Sequence, residues 1–154
     1  MVSWGTTREQ VEKATGIPPR KGKDAIGYKC QFLGTEDCFV IYMFGKGGLT
    51  HGGFLLESQF ENPHDHVARY LNLTKTLTAR YGRPNQSAAI WSDTTFKNEG
   101  KRWGEALKQR HVIFGTVWQL GQVKIVHSLL TDEEGRIEHR ILMSNDAVRT
   151  EAAK

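Results

Sequence analysis

Long apolar runs are missing from this 154-residue chain. The longest, Cys38 to Phe44, is the length of a strand, well short of the roughly 18 residues that a membrane-spanning helix needs. No transmembrane segment is expected. Cysteine is scarce: Cys30 and Cys38 are the whole supply, with neither a CxxC pair nor the four ligands of a structural zinc site. Proline is scarce too, at 4 residues, and the 16 glycines follow no period, which excludes collagen-like chains. Charge of one sign is also lacking. The 21 Lys and Arg are interspersed with 17 Asp and Glu, for a net charge of +4 and a pI near 9.1. Dedicated nucleic-acid binders gather their cations on one face or tail. Here the only basic cluster is Arg20, Lys21 and Lys23, so the pattern argues against nucleic acid as a partner.

Catalytic signatures are absent as well. There is no Gly-x-Ser-x-Gly elbow. Gly45-Lys46-Gly47-Gly48 lacks the spacing of a phosphate loop and precedes strand-like sequence, so no helix N-terminus follows to face a phosphate; it reads as a hairpin turn. The expectation is a non-enzyme without cofactor or metal. No signal peptide is visible at Met1-Val2-Ser3-Trp4, an opening that suits a cytoplasmic chain and equally an exported one whose leader has been removed.

What is present is a clear order of elements. The length suits one domain, residues 1–154, with enough buried surface for a core without staples. Thr6 and Glu9 have the spacing of a capping box, Val11 and Ala14 form a short apolar stripe, and Gly16 before Pro18-Pro19 ends a first helix. A second helix opens on Asn62-Pro63 with Asp65 in its first turn. It carries Val67, Tyr70, Leu71, Leu77 and Tyr81 near helical spacing and stops at Gly82-Arg83-Pro84. After the first helix, strands are expected at Ala25–Leu33, Cys38–Phe44 and Leu49–Phe60. After the second they are expected at Ala88–Ser92, Thr116–Leu120, Val123–Leu130 and Arg136–Met143, with a short helix near Gly104–Arg110. This is an α+β plan of two tandem repeats, about residues 3–60 and 61–145, each a helix followed by an antiparallel meander. The tail from Asp146 is expected to fray.

The strands alternate. Ile26, Tyr28, Cys30 and Phe32 fall on one side of their strand, as do Val123, Ile125, His127 and Leu129, and Ile137, His139, Ile141 and Met143. An antiparallel sheet with helices on one face shows this pattern and leaves its other face open. A turn near Gly34 sets Cys30 against Cys38, either as a disulfide, which implies an oxidising compartment, or as two buried thiols. Gly52-Gly53 marks a bulge or a close backbone approach. His64 and His66 are too far apart around a helix to chelate one ion and read as an exposed first turn. His127 and His139, on adjacent strands with Cys30 as a conceivable third ligand, suit hydrogen-bonded core histidines better than a metal pair. Tryptophans concentrate in the second half, and Trp anchors protein interfaces because it buries much area with few rotamers. Tyr42, Trp91 and Trp118, beside Lys124 and Arg140, are the candidate binding residues: aromatic anchors with a basic rim.

Trp4-Gly5-Thr6-Thr7-Arg8-Glu9-Gln10-Val11 followed by Gly16-Ile17-Pro18 resembles the opening of SmpA/OmlA-type bacterial envelope domains. The tandem helix-plus-strands plan is similar to the β-lactamase inhibitor protein fold. The resemblance implies a non-catalytic domain of the periplasm or cell envelope that binds another protein on its open sheet, although a typical member begins after a lipoprotein signal and Cys that this sequence lacks. The competing reading is a small-ligand-binding or enzymatic domain with a cleft between the repeats. The cytoplasm stays open as a compartment.

Overall fold

The computed structural model describes residues 2–17, 19–34, 36–145 and 147. Along the chain run α1 (Arg8–Thr15), β1 (Arg20–Lys21), β2 (Ala25–Phe32), β3 (Glu36–Gly45), β4 (Gly48–Leu56), α2 (Pro63–Tyr81), β5 (Gln86–Trp91), a 3-10 turn (Gly100–Arg102), α3 (Trp103–Lys108), β6 (Val112–Leu120), β7 (Val123–Thr131) and β8 (Ile137–Asn145). The eight strands form one antiparallel sheet in the order β1-β2-β3-β4-β8-β7-β6-β5. Two four-strand meanders therefore meet along their last strands, β4 against β8.

Local chemistry sets the helix ends. The capping box of α1 is Thr7 with Gln10, one residue later than the Thr6–Glu9 expectation: the Thr7 hydroxyl accepts from the Gln10 N–H and the Gln10 side chain accepts from the Thr7 N–H. Gly16 closes the helix at φ 66° and donates to the Glu12 carbonyl, a left-handed cap that glycine adopts without a Cβ penalty. In α2, Asn62 caps the His64 N–H and Pro63 takes the first helical position, where its missing N–H costs nothing. The buried stripe of α2 is His66, Val67, Tyr70, Leu73 and Leu77; Leu71, expected in it, faces solvent at 43% exposure.

Strand bounds differ from expectation by one or two residues at most ends and by more in three places. β4 stops at Leu56 rather than Phe60, β6 starts at Val112 rather than Thr116, and Arg20–Lys21 pairs on β2 as a short edge strand instead of standing as a loop. The Gly45–Gly48 segment is a hairpin turn, and the register of β3–β4 shifts at Met43/Phe44 rather than at Gly52-Gly53. Gly53 instead marks a close approach: a Cβ there would run into the β8 backbone at Ile141 and Leu142. Apart from Ala147, the tail from Asp146 lies outside the described residues.

Register assigns the faces. Tyr28, Val40, Phe54, Ile141, His127, Thr116 and Ser87 form one continuous row across the sheet. Cys30, Cys38, Leu56, His139, Leu129, Phe114 and Ala89 form the next. All three helices pack on this side. Val11 of α1 meets Ile26 and Tyr28; Leu73 and Leu77 of α2 meet Trp118, Ile125 and Ile141; Ala106 and Leu107 of α3 join Val112, Phe114 and Leu129. Two meanders give one covered face because their side-chain period is 2, so pairing β4 with β8 carries the same face across the seam. Cys30 and Cys38, opposite each other in β2 and β3 with Cα atoms 5.0 Å apart, are joined by a disulfide at the margin of this core.

Candidate binding face

The opposite face of the sheet carries no helix among the described residues. One row across it reads Lys29, Phe39, Leu55, Arg140, Ser128, Gly115 and Ala88. The next reads Gly27, Ile41, Gly53, Leu142, Val126, Val117 and Gln86. Phe39, Ile41, Leu55, Val117, Val126 and Leu142 are each partly exposed. They make a contiguous apolar stripe over the centre of the sheet, where the two meanders join.

Cations border the stripe. Lys124 stands in register with Ser144 and Gln119 at one side, and Lys29 sits opposite Phe39 at the other. The Arg20 guanidinium lies over the Phe39 ring, 4.8 Å from its centroid. Arg140 is ion-paired to Glu138, its neighbour on the same strand face. Two acidic groups of the described strands lie on the face: Glu138, already paired, and Asp37, which accepts from the Gln31 amide at 3.4 Å. Arg20, Lys29 and Lys124 make no ion pair among the described residues, so the face keeps a positive surplus.

The five candidate residues divide between the two faces. Lys124 and Arg140 lie on the open face. Tyr42, Trp91 and Trp118 lie on the covered one: Tyr42 pairs with Ile26 and Gly52 and packs edge-on to Tyr28, with ring centroids 6.3 Å apart. Trp91 is half-buried edge-on against Trp103 of α3. Trp118 is fully buried among Leu73, Leu77 and Ile125, its indole N–H donating to the Gly82 carbonyl at 2.9 Å. The expected combination of these aromatics with the two cations is therefore corrected by register; the apolar element beside Lys124 and Arg140 is aliphatic, with Phe39 as its one aromatic. Its signal in the sequence was the unbroken run Phe39-Val40-Ile41-Tyr42: a strand apolar at every position is apolar on both faces.

His127 and His139 form a buried network with Tyr70. His127 and His139 stack with centroids 4.9 Å apart and Nε2 atoms at 2.6 Å. Tyr70 stacks on His127 at 4.3 Å and its hydroxyl bonds Thr116 at 2.7 Å. Burial pushes both imidazoles below their ordinary pKa, His127 to about 3 and His139 to about 2, with the nearby Arg69 charge adding to the effect. His66, expected in an exposed turn, is 1% exposed and accepts from the Phe60 N–H at 3.2 Å; burial lowers its pKa too. Among the described residues no group of three or more potential ligands is placed to hold a metal, and Cys30, the conceivable third ligand, is held in the disulfide. No helix among the described residues is long and apolar enough to cross a membrane. The chain matches no protein-family model, no curated protein and no solved structure.

Proposed function

We propose that the chain is a non-catalytic protein-binding module that docks its open sheet face on a protein surface with an apolar centre and an acidic border. The observation that carries this reading is the uncovered stripe of Phe39, Ile41, Leu55, Val126 and Leu142 beside three cations without ion-pair partners, Arg20, Lys29 and Lys124. An apolar patch supplies affinity by leaving water, and a charged rim supplies orientation and association rate. The buried histidines favour a non-catalytic reading, because His127 and His139, at 0% and 3% exposure, offer no ring nitrogen to a substrate.

Two finer elements belong to the same proposal. The strand order reads as two tandem repeats joined at their last strands, each a helix and a meander, in the manner of the β-lactamase inhibitor protein fold and SmpA/OmlA-type envelope domains. The Cys30–Cys38 disulfide favours the periplasm or another oxidising compartment over the cytoplasm. The test is cross-linked capture from an envelope extract with the wild-type chain and the double variant Lys29→Glu, Lys124→Glu. Neither lysine makes an ion pair among the described residues, so the fold loses little. Loss of one reproducible acidic partner at unchanged thermal stability supports the reading; identical capture by both proteins removes the face from consideration.

A further inference from the structure

The three helices do not cover their side of the sheet completely. α1 sits over the end of β2 and β3, and α2 over β6, β7 and β8. Between them opens a cleft of about 530 Å³. Its floor includes Val40, Tyr42, Gly52, Phe54 and Met143, and α2 contributes Leu77, Arg80 and Tyr81. The cleft falls within the roughly 300–1,000 Å³ of small-molecule sites. Gly52 deepens the floor: its neighbours in register, Tyr42 and Met143, both carry large side chains, and it carries none.

The chemistry of the lining restricts the occupant. Apart from Arg80, every residue of the lining is uncharged. Arg80 has no ion pair among the described residues and lies over the Tyr81 ring, 5.7 Å from its centroid. A long apolar wall ending at a single guanidinium matches a molecule with an alkyl body and one anionic end, since guanidinium pairs with carboxylate in a two-bond fork. We infer that this cleft binds a single-chain alkyl carboxylate, tail on Phe54 and Met143 and head at Arg80. The site lies on the face opposite the proposed docking surface, so the two stand or fall separately.

Gly52 supplies the decisive variant. A Cβ there would meet the Ile41 carbonyl at 3.7 Å and the Tyr42 ring at 3.8 Å, ordinary contact distances, so Gly52→Leu fills the cleft without straining the strand. Titration calorimetry with dodecanoate, kept below its micelle concentration, is the test. One saturable site is expected in the wild type, with binding lost in Gly52→Leu and roughly tenfold weaker in Arg80→Gln, because a charge-assisted bond is removed. Arg80 is exposed, so that second variant keeps the test decisive even where Gly52→Leu fails to fold. Absence of saturable binding, equal affinity for dodecyltrimethylammonium, or dodecanoate affinity unchanged by Arg80→Gln would each overturn the inference.

Discussion

His127 and His139 meet Nε2 to Nε2 at 2.6 Å, and their neighbours fix which ring donates. The Thr74 hydroxyl donates to the Tyr70 carbonyl at 2.9 Å and therefore accepts from His127 Nδ1 at 3.1 Å. With its proton on Nδ1, neutral His127 can only accept at Nε2, so His139 donates from Nε2. That leaves His139 Nδ1 as a bare lone pair, in keeping with its lack of a partner among the described residues. Both rings are neutral, and the contact between α2, β7 and β8 depends on their staying so.

Acid should therefore loosen the fold before it reaches the carboxylates. The folded pKa values, about 3 for His127 and about 2 for His139, lie below the ordinary imidazole value of 6.5. Below 6.5 the unfolded chain takes up protons that the folded chain refuses, so stability falls as pH falls from there and is unaffected above it. At pH 5 the loss is about 2 kcal/mol per histidine, set by the unfolded value. The shifted carboxylates, Glu12, Asp93 and Asp132, have ordinary values of 4.5 or less and lowered folded values, so they act at lower pH. Urea denaturation at pH 7 and pH 5 reads the difference directly. Equal midpoints would show that the histidine pair is not held neutral.

Much of this architecture was legible because alternation and capping are local signals. The inward row Val123, Ile125, His127 and Leu129 follows from a period of 2, and Asn62-Pro63 marks a helix start by its hydrogen-bond chemistry. Trp118 shows the limit of reasoning by residue type. Its frequency at interfaces made it a candidate anchor, while its phase with Phe114 and Val112 on β6 already set it in the core. The binding face was hidden for a different reason. Lys124 shares a face with Val126 by the period of 2, but Leu142, Leu55 and Ile41 join them only through the β7–β8, β4–β8 and β3–β4 pairings. The β4–β8 pairing is a long-range event that no local pattern encodes.

Reduction of the Cys30–Cys38 bond should destabilise without unfolding. The bond closes a short loop, with a sequence separation of 8, for which chain entropy gives about 2–3 kcal/mol. For a chain of this length that corresponds to a fall of roughly 5–10 °C in Tm. Thermal melts with and without dithiothreitol check it, with Cys30→Ala, Cys38→Ala as the control that should no longer respond. A wild-type melt indifferent to reductant would mean that the cysteines contribute as packed thiols.

The junction of α3 with α2 makes the sharpest steric prediction. Gly104 stands so close to α2 that a Cβ would run into the backbone of Pro63 and His64. Alanine is the better helix former by about 1 kcal/mol, so propensity alone says that Gly104→Ala stabilises. Sterics should win, because the obstacle is the first turn of a 19-residue helix rather than the tip of a flexible side chain. Displacing α3 also pulls Ala106 and Leu107 from the core they share with Phe114 and Leu129, and overpacking of this kind costs about 1–3 kcal/mol. Gly100→Ala is the matched control: nothing lies within 4 Å of a Cβ there, so its urea midpoint should hardly move. A lower midpoint for Gly104→Ala alone locates the effect at the helix contact; a higher one would mean that α3 shifts freely and that propensity decides.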